Sequence, residues 1–185
     1  MEAAKLIDWA NAQNDANRAK PPGPRAAAFD PPWTTVHVGQ ISGGTAHNIT
    51  AEHCIMGLDF RVVPGENPED WARAWQAKVA EVEAGMRAVR PEAAITLTRS
   101  FDVPPLVPEA DGRAEALARA ITGDNGTHVV SYGTEAGFFQ RAGFSTVICG
   151  PGDIAQAHQA DEYIEMTQFE AGWHFMQTLV AELAR

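Results

Sequence analysis

The chain has 185 residues, 45% of them hydrophobic, and a formal net charge of −10 at neutral pH. That length buries one good core or two small ones, and the acidic balance argues against nucleic acid and against an anionic membrane surface as partners. No basic segment followed by an apolar one opens the chain, and no apolar run approaches the length of a membrane span, so a soluble, cytoplasmic protein is expected.

Glu2 to about Arg18 carries Ala3, Leu6, Ile7 and Ala10 at helical spacing, which predicts an amphipathic helix from the outset. Lys20-Pro-Pro-Gly-Pro24 and Asp30-Pro-Pro32 then punctuate the chain. A strand is expected over 34–41, with Val36 and Val38 on one face and His37 on the other. After the glycine turn Ser42 to Asn48, a second strand follows over 52–61. Its Cys54, Met56, Leu58 and Phe60 alternate toward an apolar face, which places Asp59 and Arg61 together on the opposite one. As a surface ion pair these two are worth at most about 1 kcal/mol. Alternatively, the planar fork of Arg61 is held ready for a substrate carboxylate.

Asn67-Pro68-Glu69-Asp70 is a helix start, with a capping side chain, a first-turn proline and acids at the positive end of the dipole. Trp71, Trp75, Val79, Val82 and Met86 form its apolar stripe, and the tryptophans are read as core. A third strand is expected over 94–99. Helix, strand, strand, helix, strand is the order of a ferredoxin-like split βαβ lacking its first strand, and a sheet with an unpaired edge invites pairing of two chains.

The prolines at 104, 105 and 108 suggest a domain boundary near residue 103, giving domains 1–103 and 104–185. Beyond it helices and strands alternate in an α/β pattern. Helices are expected over 111–122, with Ala114, Leu117, Ala118 and Ile121 inward, and over 135–142; strands are expected over 127–132 and 145–149. A last helix runs from Gln168 to about Ala184, capped by Thr167-Gln-Phe-Glu170, with Phe169, Trp173, Met176, Val180 and Leu183 buried and His174 solvated. Cys54 and Cys149 fall in strand-like runs and are expected as buried free thiols, since two cysteines make no disulfide framework.

The stretch Val147-Ile-Cys-Gly-Pro-Gly152, continuing through His158 to Tyr163, has the layout of a site at a strand tip. A lone histidine is more often a surface residue than a metal ligand. His158 has company, because Gly150 and Gly152 permit close backbone approach and Asp161 and Glu162 can orient an imidazole. At another strand end, Thr134 is expected as a helix cap and Glu135 in the first turn. Glu135 is either a pocket residue or simply a carboxylate at a helix start, worth a few tenths to about 1 kcal/mol.

Gly43-Gly-Thr-Ala-His-Asn48, Leu58-Asp-Phe-Arg61 with Pro64-Gly65, Tyr132-Gly-Thr-Glu135-Ala and Gly150-Pro-Gly through His158 to Tyr163 occur in the order seen in the acetylornithine deacetylases. The chain thus resembles the dinuclear-zinc aminoacylases and metallopeptidases over essentially its whole length. The resemblance implies a ferredoxin-like lid that forms a homodimer, followed by the C-terminal part of an α/β catalytic domain. His158 would be a ligand in a site of two zinc ions, with cobalt or manganese as substitutes. Asn48 and Arg61 would reach a small N-acyl amino acid substrate from the lid, and Glu135, Gly150 and Gly152 would line the pocket. His47 is given no role.

In that family a metal-activated water, controlled by a glutamate base, hydrolyses one amide bond. The His-x-Asp pair, the bridging aspartate and the Glu-Glu pair that serve this chemistry are not found: none of the six histidines precedes an aspartate by two residues, and Glu-Glu does not occur. A zinc site needs about three protein ligands, so no metal is expected on this chain alone, and the N-terminal half of the enzyme becomes a possible partner. Two functions stay open. One is a part of an N-acetylornithine deacetylase-like enzyme, or of a desuccinylase-like one acting on succinyl-diaminopimelate, inactive by itself. The other is a non-catalytic dimerisation or binding module.

Overall fold

The computed structural model describes residues 2–126 and 128–184. Contacts divide the chain into two compact units: residues up to Ser100 together with Val129–Ser131, and Phe101–His128 together with the residues from Tyr132 on.

In the first unit, α1 (Glu2–Arg18), β1 (Thr35–Gly43), β2 (Cys54–Arg61) and α2 (Pro68–Arg87) follow one another. The strands pair antiparallel, Thr35 with Arg61 and His37 with Asp59, and Gly39 is the extra residue of a bulge between Val38 and Gln40. Both helices pack together, with α1 against β1. Leu6, Val79 and Val82 are buried there, with Met56, Trp75, Met86 and Ile95 packed around them. Each such side chain contributes about 1.5–3 kcal/mol by leaving water. Trp9 and Trp75 lie 5.4 Å apart between ring centroids, so the helices meet through aromatics. Asn67 caps α2, its side-chain oxygen accepting from Glu69 N at 3.1 Å, and Pro68 opens the helix.

The strongest local constraint is a polar one. The Asn14 side chain both donates to Val36 O and accepts from Val36 N, at 2.8 Å each, so a helix residue satisfies the outer edge of β1 as a neighbouring strand would. Buried Asn17 donates to Thr34 O at 2.7 Å. Thr34 is fully buried; its hydroxyl donates to Glu66 Oε2 at 2.7 Å and accepts from Val63 N at 3.1 Å. Glu66 Oε2 also accepts from the Trp71 indole at 2.8 Å. This network ties α1, the start of β1 and the turn after β2 into one body.

The second unit holds α3 (Arg113–Thr122), α4 (Ala136–Arg141), a short 3-10 turn (Ile154–Gln156) and α5 (Met166–Leu183). Gly123, at φ 72°, ends α3 in the left-handed conformation that glycine adopts without penalty. Glu109 acts as a pillar, accepting from Ser145 Oγ at 2.7 Å, Thr146 N at 2.9 Å and Gln140 Nε2 at 3.3 Å. Gly137 lies buried where α4 passes the backbone of Pro104 and Pro105.

Several expectations are corrected. Residues 94–99 form no ladder: Ile95 N donates to Glu83 and Arg99 pairs with Glu69, so side chains of α2 hold the segment. Segments 128–132 and 145–149 also lack a ladder, while Thr127 lies outside the described residues. A strand persists through its neighbour's hydrogen bonds, and among the described residues these three segments have no such neighbour. Among the described residues no parallel sheet of an α/β domain is formed.

Both cysteines are exposed, not buried. Thr167 and Glu170 lie inside α5, whose cap position is taken by Glu165 without a side-chain bond, so the capping box does not form. On α5 the expected buried stripe faces outward: Phe169 is 57%, Trp173 64% and Leu183 72% exposed. The half-buried positions are Gly172, Phe175, Thr178, Leu179 and Glu182, one step round the helix, on an element that contacts α3. Ala114, Leu117, Ala118 and Ile121 of α3 are half-buried, as a helix covered on one side requires.

Candidate functional site

The candidate residues fall in two groups. Asn48 and Arg61 belong to the first unit; Glu135, Gly150, Gly152 and His158 belong to the second.

Asn48 is exposed in the loop joining β1 to β2. Arg61 closes β2 on the face away from the helices, where strand alternation sets it beside Asp59 and opposite Thr35. Its Nε donates to Asp59 Oδ1 at 3.2 Å, and its Nη1 meets Ser131 O at 3.4 Å. The guanidinium is exposed and already oriented, which suits it to capture an anion.

In the second unit the turn Gly150-Pro151-Gly152 is anchored to α5. A side chain at Gly172 would strike the ring of Pro151, whose Cγ would lie 2.8 Å from the added carbon, so glycine allows the two to touch. Gly152, at φ 101°, needs the glycine conformation itself, and its N–H points to Gln168 Oε1 at 3.4 Å. Asp153 then caps the 3-10 turn by accepting from Ala155 N at 2.8 Å.

His158 has φ 58°, the single positive value among the described non-glycine residues. A left-handed backbone at a side chain of this size costs of order 1–3 kcal/mol and is retained where the surroundings impose it. The His158 N–H donates to Glu162 Oε2 at 2.9 Å. The imidazole is exposed, so the carboxylate expected to orient the ring instead orients the backbone.

Glu135 is exposed and stands at the cap of α4, not in its first turn; Thr134 Oγ1 accepts from Ala136 N at 3.2 Å. No hydrogen bond or ion pair joins Glu135 to the His158 loop among the described residues. No group of three or more His, Cys, Asp or Glu among them is placed to hold a metal ion. His158 with Asp161 and Glu162 therefore does not make a complete zinc site, which takes about three protein ligands.

Sequence reasoning missed Asn14, Asn17, Thr34, Glu109, Gly137 and Gly172. The Asn14/Asn17 spacing on one helix face was a readable signal, since two amides on the core side of a helix need buried partners. Nothing local marked Glu109.

No described helix is long and apolar enough to cross a membrane. The peptidase dimerisation domain family matches residues 1–87. The chain is 34% identical over 143 residues to the acetylornithine deacetylase of Myxococcus xanthus, covering 74% of this chain and 34% of that protein. The Proteus mirabilis acetylornithine deacetylase is 33% identical over 156 residues, covering 83% of this chain and 38% of the relative. For that of Erwinia tasmaniensis the figures are 34% over 143 residues, 76% and 35%. The chain spans about a third of the length of these curated relatives. It belongs to the M20 peptidase family and is acetylornithine deacetylase-like.

Proposed function

We propose that the chain serves hydrolysis of the amide bond of a small N-acyl amino acid, of the N-acetylornithine kind, as one portion of a two-part site. Residues 1–103 act as a ferredoxin-like lid that carries homodimerisation. Residues 104–185 act as the C-terminal part of a catalytic domain. The supporting observation is the loop at 150–163: an exposed imidazole on a strained backbone, on a turn keyed to α5 by Pro151 and Gly172. Such strained residues cluster at functional sites.

Each residue takes a role its chemistry allows. Arg61 receives the amino-acid carboxylate, because its planar fork matches two oxygens. The Asn48 amide offers N–H donors to an oxygen that gains negative charge. Glu135 with Gly150 and Gly152 lines the pocket, the glycines allowing close approach of substrate to backbone. His158 supplies one ligand to zinc, with the remaining ligands carried by polypeptide equivalent to the uncovered part of the relatives.

The test is zinc analysis and N-acetylornithine hydrolysis, with the chain alone and with the N-terminal portion of a relative supplied. The lone chain is expected to hold no stoichiometric zinc and to be inactive. Activity on reconstitution that His158→Ala abolishes would support the assignment. Stoichiometric zinc on the lone chain, or full turnover of His158→Ala, would sink it.

A further inference from the structure

The outer face of the β1–β2 hairpin, away from α1 and α2, carries the charged pair Arg61 and Asp59, joined through one guanidinium nitrogen. A guanidinium has three edges along which N–H groups point. One combines Nε with a terminal nitrogen, one joins the two terminal nitrogens, and one points back along the side chain from Nη1. In Arg61 the first edge is engaged by Asp59, through Nε and Oδ1 at 3.2 Å. The Nη1 contact to Ser131 O, at 3.4 Å, engages a second nitrogen. Ser131 is itself tied down, its hydroxyl donating to Asp30 O at 3.3 Å. Nη2, at the end of the fork, meets no partner among the described residues.

We propose that Asp59 is a positioning residue that closes the side edge of the Arg61 guanidinium and leaves only its end for a carboxylate. The inference rests on the reading of Arg61 as the group that receives the substrate carboxylate. It adds the mode of capture and the residue that selects it. A carboxylate bound end-on projects straight out from the guanidinium, whereas one bound along the Nε edge must displace the Asp59 oxygen that already accepts from Nε. Asp59 therefore fixes the direction in which the rest of the substrate leaves Arg61. An N-acyl amino acid held by one end needs that direction set if its amide bond is to be presented at one place. His37 faces Asp59 across the ladder, without a hydrogen bond to it among the described residues. The sheet register, not His37, holds the aspartate in place.

The experiment uses the full chain labelled with 15N on its arginine side chains, titrated with acetate as a plain carboxylate probe. The readout is which Arg61 nitrogens respond, since affinity alone would confuse loss of the hydrogen bond with loss of a repelling charge. In the wild type the terminal Nη signals should move with acetate while Nε stays put. Asp59→Asn, whose side-chain oxygen still accepts from Nε, should keep that pattern. Asp59→Ala should bring the Nε signal into the acetate response, as the probe gains the side edge. An unchanged pattern in Asp59→Ala, or an Nε response already in the wild type, would overturn the positioning role while leaving Arg61 as receptor. No response at any Arg61 nitrogen in any of the three proteins would instead remove Arg61 as the carboxylate receptor, and the inference with it.

Discussion

Replacing Thr34 by valine changes almost no volume at a fully buried position, yet it removes a hydroxyl with two partners. Half-buried Val63 N–H loses its 3.1 Å acceptor, and a donor left unmatched away from water costs about 1–3 kcal/mol. The 2.7 Å bond to Glu66 is charge-assisted, and losing it costs a further 1.5–3 kcal/mol or so, although Glu66 keeps the Trp71 indole. A methyl in place of the hydroxyl returns about 1 kcal/mol by apolar burial. The expected net destabilisation is about 1.5–5 kcal/mol. Thr34→Ser, which keeps both bonds and loses one methyl, should cost only about 1 kcal/mol. Urea unfolding followed by tryptophan emission reports this region, since Trp9, Trp33, Trp71 and Trp75 all lie in the first unit. If Thr34→Val cost less than about 0.5 kcal/mol, the scale of an ordinary surface change, or less than Thr34→Ser, the network would not be what holds this unit together.

Two further perturbations address the second unit. The Glu109 carboxyl is held below its ordinary value of 4.5 chiefly by the Ser145 hydroxyl and then the Thr146 N–H, with burial opposing them. A depressed folded-state value means that its stabilisation is present above about pH 4.5 and is lost as pH falls through the lower folded value. Glu109→Gln should therefore flatten the acid limb of thermal unfolding, and an acid limb identical to the wild type would show that the pillar carries nothing. Asp124 is likewise lowered, by the Gly126 N–H first, but it is present in both proteins and drops out of the comparison. Gly137→Ala would place a carbon 3.0 Å from Pro105 O and closer still to Pro104 O, both rigid backbone. The gain in helix propensity of about 1 kcal/mol should be outweighed by a steric cost of about 1–3 kcal/mol or more. A Gly137→Ala protein of unchanged or higher melting temperature, followed at Trp173, would disprove that close approach.

Most helices were legible because their signals are local. Pro68 behind Asn67 starts α2, the stripe from Trp71 to Met86 buries one side of it, and Leu6 with Ala10 turns α1 inward. The β1–β2 hairpin followed from alternation and a glycine turn, though the bulge at Gly39 did not, because a bulge is a property of the pairing and not of either strand. The segments at 94–99 and 145–149 have strand-like composition, but composition does not supply a partner, and they form no ladder. On α5 the apolar period was read correctly as a stripe and wrongly as a buried one, because periodicity gives a face and not what covers it.

The candidate site divides along the same line. The residue types at 48, 61, 135 and 150–158, and their resemblance to the acetylornithine deacetylases, come from the order of the chain itself. The left-handed backbone at His158, the Pro151 ring seated on Gly172, the Asp59 bond to Nε of Arg61 and the buried Thr34 hydroxyl come only from the fold. Helical periods and caps are set by residues within a few positions of one another, so a linear sequence determines them. Orientation is set by residues far apart in the chain, Thr34 with Glu66 or Pro151 with Gly172, and only tertiary packing decides which of them meet.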